Sequence, residues 1–225
     1  MKLSVIVPVF NEAPTVRALL ERVLSRPEPF EVIVVDDGST DGTADVLAGL
    51  PPNARLRALR QPRNMGKGAA VRRGFDESRG DWVLVQDADL ELDPGEYPRL
   101  LEAAARSRGA VYGSRFLGPA PGRPFFATLA NRVLSLWTSL LFRTHVSDME
   151  TCYKLVRRDL VLALGLTADR FDFEPEVTGK LLRRGAKPVE VPISYRPRGA
   201  AAGKKIRLKD GVIAVGVLVR IAMGG

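Results

Sequence analysis

Asp87, Asp89 and Glu91 follow an apolar run, Val83-Leu84-Val85-Gln86, with one residue between each carboxylate and the next. In an extended segment residues two apart share a face, so the three carboxylates are expected to converge on one hard cation. Oxygen donors with no His or Cys nearby suit Mg²⁺ or Mn²⁺ rather than zinc. An ion held by one or two carboxylates shares its other positions with water and substrate phosphates. Taken alone, Asp-x-Asp is equally a solvated acidic turn after a strand. Three other polar clusters stand in the same relation to apolar runs: Phe10-Asn11-Glu12, Asp36-Asp37 and Asn64-Met65-Gly66-Lys67-Gly68.

The elements that must position these groups alternate along the first half. β-rich runs predict strands over 3–9, 31–35, 56–59, 82–86 and 110–113, and helical patterns fall at 15–24, after 43, at 68–78 and at 96–107. Thr40 or Asp41 is placed to cap the helix after 43. Strands alternating with helices of this length imply parallel crossovers, an α/β fold with a doubly wound, mostly parallel sheet flanked by helices. Such sheets bind ligands beyond the carboxyl ends of their strands, and each polar cluster lies there.

The second half is less regular. Residues 125–142 are apolar but carry Asn131 and Arg132, too interrupted for a membrane span. A buried core helix is the default expectation, and an interfacial helix competes because Trp, Phe and Leu sit beside Arg. Residues 212–223 form a second apolar helix, too short to cross a bilayer alone. A helix over 150–156 would be capped by Asp148.

The chain has 225 residues, 45% hydrophobic and 27% charged, which suits one soluble globular domain. A single cysteine, Cys152, excludes an intrachain disulfide and leans towards a reducing compartment. Thirty-four Lys and Arg against 26 Asp and Glu give a net charge of +8, with six basic residues and no acid between Arg196 and Lys209. Phosphorylated small molecules, an anionic membrane face and nucleic acid can each use that balance. No aromatic-interleaved basic face, zinc finger or ribonucleoprotein signature is present, which argues against nucleic acid.

Several stretches together resemble the family 2 glycosyltransferases of GT-A fold, closest to the branch of dolichyl-phosphate mannose synthase and polyprenyl-phosphate glycosyltransferases. They are Ser4 to Glu12, Val34 to Thr43, Asn64 to Gly68, Gln86 to Glu91, Gly113-Ser114-Arg115, Asp148 to Lys154, Phe173-Glu174-Pro175-Glu176, and Gly203-Lys204-Lys205-Ile206 before Asp210-Gly211. They occur in the family's order over nearly the whole chain, and the ordered set is far more specific than any member.

The resemblance implies a single catalytic domain over 1–225. Its first half, 1–115, would bind the nucleotide sugar, and 116–225 would form an acceptor side with apolar C-terminal helices and a mobile basic loop. Pro8, Val9, Phe10, Asn11 and Glu12 would border the base and ribose, and Asp36 or Asp37 would accept a hydrogen bond from the base. Asn64, Gly66 and Lys67 would approach the donor, with Asp87 and Ala88 near the ribose and metal. Asp89 would bind the metal directly, with Asp87 and Glu91 as further ligands. Arg115, Arg198 and Lys205 are candidates for phosphate contacts, each also readable as a surface ion pair. His145 is the one histidine and no Ser-His-Asp arrangement is available.

The implied reaction is metal-dependent inverting transfer of a hexose from a UDP- or GDP-linked donor. A hydroxyl acceptor needs a base, for which Glu150 is best placed and Asp148 second. A polyprenyl or dolichyl phosphate is already ionised, and Glu150 and Asp148 would then orient acceptor or sugar. The basic stretch beside apolar helices favours the lipid phosphate, with the protein peripheral on the cytoplasmic face of a membrane. Relatives of this branch often carry transmembrane helices after the catalytic part, and none follows here before Gly225. The alternatives are a soluble sugar, glycerate or peptide acceptor, a sugar-phosphate nucleotidyltransferase, and a non-catalytic basic membrane- or nucleic-acid-binding module.

Overall fold

The structure is a computed structural model that describes residues 1–119, 121–197 and 208–224. The first half runs β1 (Leu3–Val9), α1 (Val16–Leu24), β2 (Pro29–Asp36), α2 (Thr43–Ala48), β3 (Leu56–Arg60), α3 (Lys67–Glu77) and β4 (Trp82–Val85). A short 3-10 turn, Pro94–Glu96, leads into α4 (Tyr97–Ala104) and β5 (Ala110–Ser114). Then come α5 (Phe125–Leu141), β6 (Lys154–Arg157), α6 (Arg158–Ala163), α7 (Phe173–Arg183), β7 (Val189–Pro192) and α8 (Leu208–Ala222).

The seven strands make one sheet in the order β3-β2-β1-β4-β6-β5-β7. All pairings are parallel except those of β6, which runs antiparallel to both β4 and β5. The mostly parallel sheet flanked by helices is thus as the alternation of elements implied. Every residue of β1 and β4 is buried, which is why these strands read as continuous apolar runs without alternation. One face is covered by α1, whose Val16, Leu19, Leu20 and Val23 repeat at helical spacing and are fully buried. Truncating such a leucine to alanine costs about 2–5 kcal/mol.

The structure corrects two expectations. Residues 150–156 do not form a helix: a turn leads into β6, which pairs with both β4 and β5. The segment Tyr153-Lys154-Leu155-Val156 is buried throughout and rich in aromatic and branched side chains. Central pairing suits it better than a helix of two turns, which is marginal without tertiary support. Asp148 therefore caps nothing.

The second correction concerns α5. Its buried residues are Ser135 and Thr138, while Phe125, Phe126, Leu129, Val133, Leu136, Trp137 and Leu140 are exposed. The helix is turned with its polar stripe inward, against the default of a core helix. The inward hydroxyls explain the orientation: Ser135 Oγ accepts from Met149 N at 3.0 Å, and Ser139 Oγ accepts from Val146 N at 3.0 Å. No helix among the described residues is long and apolar enough to cross a membrane. Most of the expected basic loop, including Arg198 and Lys205, lies outside the described residues.

Candidate active site

Four loops leave the carboxyl ends of β1, β2, β3 and β4 and knit together. Asn11, at φ +54°, donates its N–H to Ser39 Oγ at 3.0 Å and accepts from Thr40 N at 2.9 Å. Glu12 N donates to Thr43 Oγ1 at 3.0 Å. The N-cap of α2 is Gly42 at φ +89° with no side-chain cap, so neither Thr40 nor Asp41 takes the expected capping place; Asp41 Oδ1 instead accepts from Thr43 N at 3.0 Å in the turn just before the helix. Of the residues expected to border a nucleotide, Phe10 and Asn11 are half-buried at this rim. Pro8, Val9, Glu12 and Ala88 are buried, Val9 and Ala88 within the main core cluster.

Asp36 and Asp37 do different work. Asp37 accepts from Gln61 Nε2 at 2.8 Å, Met65 N at 2.7 Å and Gly66 N at 2.8 Å, which commits both oxygens to the 61–66 loop. Burial raises its pKa, opposed by the Met65 and Gly66 amides. Asp36 Oδ1 accepts from Ser39 N at 2.9 Å, but Oδ2 is buried without a hydrogen bond among the described residues, forming only an ion pair with Arg60 Nε at 3.5 Å. A buried carboxylate oxygen left over in this way is an acceptor awaiting a donor.

Gly66 has φ +105°, and a Cβ there would stand 2.2 Å from Asp169 O; one on Gly68 would stand 2.3 Å from Ala168 O. Only glycine lets the 64–68 turn seat on the 168–170 loop. The contact starts α3, and Ala69 N donates to Asp169 O at 3.1 Å. Asn64 is exposed on this turn. Lys67 turns inward: its Nζ lies 2.9 Å from Asp87 Oδ1 and 2.9 Å from Glu174 Oε1. Burial would lower the Lys67 pKa, but Asp87 and Glu174 outweigh it and hold it well above its usual value. Asp87 is likewise held low against its own burial by Lys67, with Cys152 and Arg115 contributing.

Residues 87–91 form a turn rather than an extended strand, with Leu90 at φ +62°. Asp89 Oδ1 accepts from Glu91 N at 3.2 Å. Among the described residues, no three acidic, His or Cys side chains gather closely enough to hold a metal by themselves, so the expected three-carboxylate convergence does not form. The i, i+2 rule applies only while the strand continues, and β4 ends at Val85. Behind the turn, Gln86 Oε1 accepts from Tyr97 OH at 2.8 Å and Tyr153 OH at 2.6 Å, and its Nε2 donates to Asp87 O at 3.1 Å.

The second half reaches the same rim because β6 is reversed: its amino end lies beside the carboxyl ends of β4 and β5. Arg115, just past β5, meets Asp148 through Nε to Oδ2 at 2.8 Å, one terminal nitrogen to Oδ1 at 2.7 Å, and its backbone N to Oδ2 at 2.9 Å. Asp148 is 0% exposed, so it is an anchor for Arg115 rather than an open base. Glu190 of β7 fixes the same turn by accepting from Ser147 N at 2.9 Å and Asp148 N at 3.3 Å. Glu150 makes no hydrogen bond or ion pair among the described residues. Burial first, then the nearby Glu174, pushes its pKa up to about 7, with Lys154 and Arg115 opposing the rise and Asp148 adding to it.

Sequence reasoning missed one cluster. A depression beside Arg115 is lined by Phe116, Arg123, Thr128, Asn131 and Tyr195. The Arg123 and Arg132 guanidiniums lie 4.9 and 5.4 Å from the Phe116 ring centroid, and that of Arg115 lies 5.5 Å from the Tyr195 ring. Arg123 Nε and one terminal nitrogen are buried without a hydrogen-bond partner among the described residues. Burial and the adjacent Arg115 lower its pKa, with Asp148 opposing, and no ion pair is made by Arg123 among the described residues. Three arginines within 18 residues, flanking an aromatic and opening an apolar helix, were the available signal.

This sheet order, with polar loops gathered at one rim, is the GT-A architecture of nucleotide-sugar enzymes. Glucosyl-3-phosphoglycerate synthase from Mycobacterium tuberculosis, crystallised with UDP, shares it at a TM-score of 0.74 and 20% identity, covering 99% of this chain and 80% of that one. The same synthase with Mn²⁺ and UDP-glucose aligns at 0.73 and 20% identity, covering 99% and 79%. Residues 4–165 match the sequence model described as Glycosyl transferase family 2, and the chain belongs to that family. Among its curated relatives is an undecaprenyl-phosphate 4-deoxy-4-formamido-L-arabinose transferase of Aeromonas hydrophila, 30% identical over 207 residues, 89% of this chain and 62% of that protein. The transferase of the same description from Pectobacterium carotovorum is 31% identical over 215 residues, 92% and 63% of the two chains. The chain thus spans less than two thirds of these relatives' length.

Proposed function

We propose that this chain transfers a hexose from a UDP- or GDP-linked donor to a polyprenyl phosphate at a membrane surface, with inversion at the anomeric carbon. The observation that carries the reading is Arg123 beside Arg115, with two guanidinium nitrogens lacking a hydrogen-bond partner among the described residues, at the foot of the outward apolar face of α5. A phosphate would satisfy those nitrogens with charge-assisted bonds, and its prenyl tail would lie against Phe126, Leu129 and Val133 at the edge of the bilayer. The names of the undecaprenyl-phosphate transferases support this acceptor class. Their substrate lipid, and the outward face of α5, support peripheral placement on the cytoplasmic face of a membrane.

On the donor side, the leftover Asp36 Oδ2 favours Asp36 over Asp37 as the acceptor from the base. Phe10, Asn11, Asn64 and the Gly66 backbone border that position. Asp87 and Asp89 supply hard oxygen donors at the end of β4, and this fits Mg²⁺ or Mn²⁺, which needs few protein carboxylates when a diphosphate supplies the rest. The neighbour's Mn²⁺ complex supports the assignment. Such an ion, when bound, neutralises charge building on the departing diphosphate. Lys67, pinned by Glu174, holds Asp87 in place, and Arg115, held by Asp148, presents its remaining nitrogen to a phosphate. An ionised lipid phosphate attacks without a base, and Glu150 then orients acceptor or sugar.

A second reading, transfer to a soluble hydroxyl, is favoured by Glu150: an unpartnered carboxyl with a pKa of about 7 suits a general base. A panel of radiolabelled nucleotide sugars with lipid phosphates and soluble acceptors separates the two. Label in the organic phase is expected, and label confined to water-soluble product would reject the lipid reading.

A further inference from the structure

Lys154 opens β6 and is 3% exposed, yet among the described residues no carboxylate lies within ion-pair distance of it. Its Nζ donates to Met149 O at 2.8 Å and to Thr151 O, the carbonyls on either side of Glu150, and lies 4.9 Å from the Tyr112 ring centroid. A buried lysine spent on two backbone carbonyls of one turn is an expensive way to hold a loop, since burying an ammonium without a carboxylate is strongly unfavourable. A neutral donor would serve those carbonyls equally well.

We propose that Lys154 is a positioning residue for Glu150: it holds the carbonyls on both sides of that residue and keeps its ammonium beside the turn that carries the carboxylate. The charged groups facing Glu150 are Lys154 on β6, Glu174 on α7, Arg115 beyond β5 and Asp148 on its own turn. Glu174 is already paired with Lys67, and Arg115 with Asp148. Lys154 is the cation in this group whose charge no carboxylate has claimed by direct contact. The inference rests on the reading that places Glu150 beside the reacting sugar.

The test is a titration of the Glu150 side-chain carboxyl by ¹³C NMR in the full chain, assigned by difference from Glu150→Gln. Lys154→Gln, which keeps a donor for the carbonyls and removes the charge, should raise the Glu150 midpoint by about one unit and lower turnover about tenfold with donor affinity unchanged. In the Glu150→Gln background the same substitution should cost no further activity. A midpoint that does not move, or an equal loss in both backgrounds, overturns the proposal. Should Lys154→Gln not fold, reciprocity offers the converse experiment. Glu150→Gln must then lower the midpoint of Lys154 itself, read from its side-chain NMR signal, and an unchanged midpoint overturns the proposal. The titrations need no transfer activity. Inactivity towards every lipid phosphate would therefore reject the proposed acceptor alone, whereas full transfer with unmoved midpoints would reject the role of Lys154 alone.

Discussion

Asp148 accepts from Arg115 Nε, one terminal guanidinium nitrogen and the Arg115 backbone N–H, so the residue that follows β5 is locked to the turn that precedes β6. Removing one member of a buried pair leaves the other charge uncompensated. Asp148→Asn is expected to cost about 3–5 kcal/mol of stability, read from denaturant midpoints. A loss under about 1 kcal/mol would show that solvent screens the pair.

Asp89→Ala should abolish transfer in the presence of Mg²⁺ or Mn²⁺ while leaving the denaturant midpoint within about 0.5 kcal/mol of the parent, since Asp89 is half-buried at a turn and contributes little to the core. Comparable turnover would remove it from the metal assignment.

Arg123→Ala should raise the KM for a lipid phosphate roughly tenfold or more, the value of one lost charged hydrogen bond of about 1.5–3 kcal/mol. Donor affinity, measured by calorimetry with the nucleoside diphosphate, should not change. An unchanged KM would assign the acceptor to another surface.

The pH dependence of stability follows from Glu150. Its folded pKa of about 7 lies above the ordinary 4.5, so its stabilising contribution is complete at acid pH below that ordinary value and is lost as pH rises through about 7. Glu150→Gln cannot ionise. The variant should therefore gain melting temperature relative to the parent near pH 9 and show no gain near pH 4. A constant difference across the range would show that Glu150 ionises normally.

Replacing Phe126, Leu129 and Trp137 together with serine should weaken flotation with anionic vesicles without destabilising the fold, because these side chains are exposed rather than packed. Undiminished flotation would move membrane contact elsewhere.

Much of the polar rim was legible because apolar strands end abruptly in polar turns, and a parallel sheet puts those ends together. The division of labour between Asp36 and Asp37 was not legible, since adjacent carboxylates look alike until the amides of Met65 and Gly66 claim one. Lys67 looked like a donor contact because its partner Glu174 lies over a hundred positions later. β6 was hidden for a related reason: four apolar-rich residues carry no period that tells strand from helix, and the pairing with β4 is a long-range event. The face of α5 was misjudged because hydrophobicity alone does not say which side is wet, whereas Ser135 and Ser139 had already chosen.

The reversed β6 has an implication for how such enzymes diversify. Because one strand is threaded backwards, the segment from Arg115 to Thr151 leaves after β5 and returns to β6 along a single seam of the sheet, while the loops that follow β1 to β4 are encoded upstream. Changes of length or sequence within that excursion leave the order of β1 to β4 and their loops untouched, so the two parts of the rim can vary separately.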